Sequence, residues 1–83
     1  MMCVQSGKMY RHFKGDYYVV VGEAANTETY ERMVVYHPLQ NPDILYVRPI
    51  DQFFERIKSH AYGDQKYRFV PVTAEEVLKE CSN

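Results

Sequence analysis

Tryptophan is absent from this 83-residue chain, and only two cysteines, Cys3 and Cys81, stand near its ends. Two cysteines so placed make no disulfide framework and lack the spacing of a zinc site. They point to reduced thiols in a cytoplasmic protein, with a Cys3–Cys81 bridge between neighbouring termini as the alternative. Four glycines form no phosphate-cradling loop, and no Gly-x-Ser-x-Gly elbow occurs. Three histidines, His12, His37 and His60, show no ligand spacing, so neither a metal nor a cofactor is implied. Long apolar runs are missing too. MMCVQSGK is no signal peptide, and no stretch approaches the about 18 residues that would cross a bilayer. Nor does one sign of charge dominate. Ten Lys and Arg stand against eleven Asp and Glu, unlike a strongly basic nucleic-acid binder, although a local basic face stays open.

What is there is aromatic and β-branched. Hydrophobic residues make up 46% of the chain and aromatics 14%, with eight tyrosines, enough for one compact core in a single domain spanning 1–83. Met9 to Phe13 predicts a short strand, and Lys14-Gly15-Asp16 its turn. YYVVVGEAA, 17–25, is the strongest strand signal. Alternation puts Tyr18, Val20, Gly22 and Ala24 on one face and Tyr17, Val19, Val21 and Glu23 on the other. The small residues at 22 and 24 suggest close packing or a bend. NTET, 26–29, predicts a turn into a strand over Tyr30–His37. After the LQNP loop, Ile44–Arg48 predicts another strand, ended by Pro49. Ile50, Phe53, Phe54 and Ile57 recur at helical spacing. Gly63-Asp64 predicts a turn, and Tyr67–Val72 a last strand, placed at an edge by Pro71. Thr73-Ala74-Glu75-Glu76 is a capping box, opening a helix over 73–82 with Ala74, Val77, Leu78 and Cys81 on one stripe. No repeat, low-complexity segment or linker interrupts this order. Four or five short strands joined by tight turns favour a small β-barrel or rolled sheet.

Five residues are candidates for a binding site: Arg11, His12, Lys14, Tyr36 and Arg48. Arg11 offers a planar fork of donors for carboxylate or phosphate, His12 a further donor, and Lys14 a charge. The structural alternative is a first strand whose polar residues face water, and alternation sets Arg11 and His12 on opposite faces. Arg48 ends an apolar strand, either capping the sheet edge or projecting into a ligand groove, paired in both cases if buried. Tyr10, Tyr17, Tyr30, Tyr36, Tyr46 and Tyr67 all fall on predicted strands. They either fill and rim the core or form a platform for bases or peptide.

The blocks YRHFKG (10–15), Tyr18-Val19-Val20 with Gly22, Met33-Val34-Val35-Tyr36, and Val47-Arg48-Pro49 with Phe53 resemble the bacterial domain-of-unknown-function family 1653 over roughly residues 7 to 71. That resemblance implies a small SH3-like β-barrel of about five strands, with a helical turn before the last strand, and supplies no activity. The C-terminal helix lies outside it. Three positions depart from the pattern: the 24–29 turn lacks an Arg-His pair, Tyr46 replaces a tryptophan, and His37 replaces an arginine. The combined expectation is a non-catalytic SH3-like binding module for a peptide, protein or anionic ligand. The alternatives are an RNA-binding module, and a small enzyme or enzyme subunit using His12 or His37 in acid–base chemistry. A homo-oligomer formed through an exposed edge strand or the terminal helix is a further expectation.

Overall fold

The computed structural model describes residues 4–57 and 67–81, with side chains through Leu78. Seven elements follow in order: β1 (Met9–His12), β2 (Tyr17–Ala25), β3 (Arg32–Pro38), β4 (Tyr46–Pro49), α1 (Ile50–Phe53), β5 (Phe69–Val72) and α2 (Ala74–Cys81). The protein is mainly β. Its strands form one antiparallel sheet in the order β4-β3-β2-β1-β5, so the last strand returns beside the first. Pro71 accordingly sits on an edge strand, where its missing N–H costs no ladder bond. The expected turn at Gly63-Asp64, His60 and Cys3 lie outside the described residues.

Strand register decides which side chains share a face, because residues directly opposite one another point the same way. Tyr10 pairs with Tyr18 and Pro71, and His12 with Phe69. Val20 pairs with Tyr36, which pairs with Tyr46, while Val34 pairs with Arg48. These residues line one face, the core face. Phe53 of α1 lies against it, fully buried, with its ring stacked on Phe69 at 4.1 Å between centroids and 4° between planes. Tyr10, Val20, Val34, Tyr36, Phe53 and Phe69 form the buried core, and Val4, Tyr18, Ile50 and Phe54 pack on it. Most of its ring pairs meet edge to face, as Tyr10–Phe53 does at 5.1 Å and 84°, the arrangement ring quadrupoles favour.

Several boundaries differ from the sequence pattern. A β-bulge lies between Val20 and Gly22. Val20 pairs with Tyr36 and Glu23 with Val34, so Val20 and Glu23 share a face and strict alternation fails at Val21. Glu23 there meets Arg32 in a two-pronged ion pair of 2.6 and 2.9 Å. Nothing lies within 4 Å of a Cβ built on Gly22. The small residue therefore marks the bulge, and close packing is not its reason.

β3 starts at Arg32, and Tyr30 lies in the preceding turn with φ of +62°. That turn is held by Asn26, whose side chain accepts from the amides of Glu28 and Thr29 and competes with the ladder for local amides. β5 starts at Phe69, and Tyr67 forms an isolated bridge with Arg56. In α2 the stripe is narrower than expected: Val77 is buried, but Ala74 and Leu78 are exposed.

Candidate functional site

The β1–β2 turn positions the first part of the site. His12 accepts into its own carbonyl from the Gly15 amide at 2.8 Å and donates its amide to the Asp16 carbonyl at 2.7 Å. Gly15 takes φ of +105°, a conformation that glycine adopts at little cost. Within this turn the Lys14 amide donates to His12 Nδ1 at 3.2 Å. Nδ1 therefore carries no proton, and the neutral ring holds its proton on Nε2. Burial lowers the His12 pKa first, then the positive charges of Arg48, Arg68 and Lys14, with Asp16 opposing them. Three cations from the turn, from β4 and from the approach to β5 thus surround one histidine.

Rings supply the walls. The His12 ring lies 4.4 Å from Phe13, 4.9 Å from Phe69 and 6.2 Å from Tyr18. Tyr18, Tyr36 and Tyr46 come from three adjacent strands and stand 5.4 to 6.4 Å apart. Burial pushes the Tyr18 phenol above its ordinary value, as do Asp16, Tyr36 and Tyr46, while Arg48 pulls it down. Arg48 donates from Nε to the Tyr36 hydroxyl at 3.3 Å, and its guanidinium carbon lies 5.9 Å from the centre of the Phe69 ring. Tyr17 and Tyr18 also line an open cleft of about 320 Å³ with Gly15, Asp16, Pro38, Leu39 and Gln40.

Of the five candidate residues, the fold brings four together. His12, Tyr36 and Arg48 lie on the core face, with exposed Lys14 at its rim. Arg11 pairs with Tyr17 and Val70 and so points to the opposite face. His37 pairs with Val19, also on the opposite face, and its Nδ1–H donates to the Pro38 carbonyl at 2.7 Å. The two histidines therefore cannot act as a pair. Sequence reading named Tyr46 only as one of six platform tyrosines, and missed Tyr18 and Phe69 as site residues and Arg68 as the third cation near His12. Their signal was parity: each tyrosine shares Tyr36's face once the strands are aligned, but the alignment depends on pairings that sequence spacing alone leaves open.

No group of three or more His, Cys, Asp or Glu that could hold a metal ion occurs among the described residues. Among the same residues no helix is long and apolar enough to cross a membrane. No curated protein matches the chain. The crystal structure of a family 1653 protein from Bordetella bronchiseptica is similar, with 33% identity and a TM-score of 0.67, over 82% of this chain and 86% of that one. Residues 8–71 match the family model described as "Protein of unknown function (DUF1653)", and with that match over most of its length the chain belongs to this family.

Proposed function

We propose that this protein is a non-catalytic binding module that receives an anionic group of a peptide or protein at the tyrosine-lined end of its core face. One observation carries the reading. Arg48 is half-buried among rings, yet among the described residues its hydrogen bonding uses only Nε, toward Tyr36. The planar end of the guanidinium is left to bind an anion, and the aromatic wall fixes its direction. Carboxylate and phosphate match that fork in geometry and charge. Lys14 adds positive charge at the rim, and Tyr46, 44% exposed, gives an incoming chain a ring to lie on.

The test is an amide-resolved NMR titration of the labelled protein with a capped acidic peptide and, separately, with short single-stranded RNA, at low and moderate salt. Shifts gathered on His12 to Lys14, Tyr18, Tyr46 and Arg48, and weakened at least about ten-fold by Arg48→Gln, are the expected result, since a charge-assisted hydrogen bond contributes about 1.5–3 kcal/mol. Shifts with RNA alone would transfer the site to nucleic acid. No localised shift with either probe would remove the reading.

A further inference from the structure

The anion site has a negative neighbour. Asp16 follows Lys14 by two residues in the β1–β2 turn, and its charge acts on both His12 and Tyr18. Its backbone serves the turn, since the Asp16 carbonyl accepts the His12 amide at 2.7 Å. Its carboxylate does not. Among the described residues that carboxylate accepts no hydrogen bond and forms no ion pair. A carboxylate beside an anion site repels a plain anion, so its presence selects among ligands.

Asp16 also lines the cleft of about 320 Å³. That cleft lies at the end of the sheet, where β2 starts and β3 finishes: Tyr18 pairs with Pro38, and the Leu39 amide donates to the Tyr17 carbonyl at 3.0 Å. Of the seven described residues that line it, only Asp16 is charged. Its volume is at the low end of the about 300–1,000 Å³ of small-molecule sites, room for one long side chain. Tyr18 belongs both to the cleft and to the rings around His12 and Tyr36, so cleft and anion site are continuous.

We propose that the cleft takes a lysine or arginine side chain of the peptide whose acidic group Arg48 binds, with Asp16 as its counter-charge. The inference rests on the anion-binding reading and supplies the second half of the ligand. Such a side chain has an apolar stem and a cationic head. The stem matches tyrosine and leucine walls, and the head matches the one carboxylate, with tyrosine rings adding to the attraction. A second acidic residue would meet Asp16 and be refused. The ligand is therefore a segment with neighbouring charges of opposite sign. Nucleic acid, whose phosphates repeat one sign, is disfavoured.

The test uses the intact chain and three capped peptides carrying glutamate-lysine, glutamate-glutamine or glutamate-glutamate between glycines, each also made with one glycine inside the pair. Amide-resolved NMR titration reads the affinities. In at least one spacing the lysine peptide is expected to bind about two- to five-fold more tightly than its glutamine counterpart, the range of an exposed ion pair. Its shifts should extend from His12 and Arg48 to Asp16, Leu39 and Gln40. Glutamate-glutamate should bind most weakly. Asp16→Asn should abolish the lysine preference and strengthen glutamate-glutamate binding. It should leave the amide spectrum of the sheet in place, because the carbonyl that closes the turn remains. Equal affinity for lysine and glutamine peptides in both spacings, or a preference that survives Asp16→Asn, overturns the inference and leaves the anion site standing. No shift at Arg48 with any peptide overturns both.

Discussion

Phe53 shows how much one side chain contributes in a domain this small. Its ring is fully buried, stacked on Phe69 and edge-on to Tyr10, Tyr36 and Phe54. Phe53→Ala removes those contacts and leaves a cavity between helix and sheet, with an expected loss of about 3–5 kcal/mol. Urea unfolding followed by far-ultraviolet circular dichroism measures it. His12 offers a second prediction at this scale. Its folded pKa lies below its ordinary value, so between the two values the unfolded chain holds more protons than the folded one. Stability contributed by neutral His12 is therefore present above about pH 6.5 and declines as pH falls toward the folded pKa. Protonation also turns Nδ1 from acceptor to donor and breaks its bond with the Lys14 amide. Denaturant midpoints at pH 7.5 and 5 should differ in that sense, and His12→Asn should flatten the dependence.

Among the elements, α2 is the one that local chemistry must hold. The Glu76 amide donates to the Thr73 hydroxyl at 3.2 Å, and that hydroxyl donates in turn to the Glu76 carboxylate at 3.2 Å. The box is closed through the hydroxyl. Thr73→Ala should cost about 1 kcal/mol, read as loss of helical amide protection in α2 by hydrogen exchange before the sheet opens. The strands themselves were legible, since runs of valine and tyrosine between turn residues leave few other readings. The helical stretch was legible from Ile50, Phe53, Phe54 and Ile57 as one or two turns, and one turn forms: the chain leaves the helix at Phe54, and the Glu55 carbonyl receives the Arg68 amide. Tyr30 misled because a strand-favouring residue occupies a turn closed by Asn26. The site was legible in its cations and opaque in its walls: which tyrosines join Arg48 follows from cross-strand register, a property of pairs of strands.

At the scale of the whole molecule, small size and balanced charge set the terms. Domains of this length have roughly 0.05–0.15 kcal/mol of stability per residue, so the Phe53 deletion alone removes a large share of the total. A shift of 1 kcal/mol moves the melting temperature of such a domain by about 4–8 °C, and Phe53→Ala should melt at least about 12 °C lower by calorimetry. The formal charge of −1 and isoelectric point near 6.3 give the surface little net repulsion near neutrality. The cations beside His12 are thus a local feature, and any anion they hold is recognised at close range, with little long-range steering.

The bulge in β2 can be restated as a reading frame. Across it, Val20 keeps Tyr36 and Gly22 keeps Val35, so Val21 is the one residue of that span without an assigned partner. Deleting it would excise a letter and leave the frame intact, each remaining residue still opposite its present neighbour. A chain lacking Val21 should keep the cross-strand amide contacts from Tyr18–Pro38 through Ala25–Arg32, and lose only the local twist that the extra residue imposes.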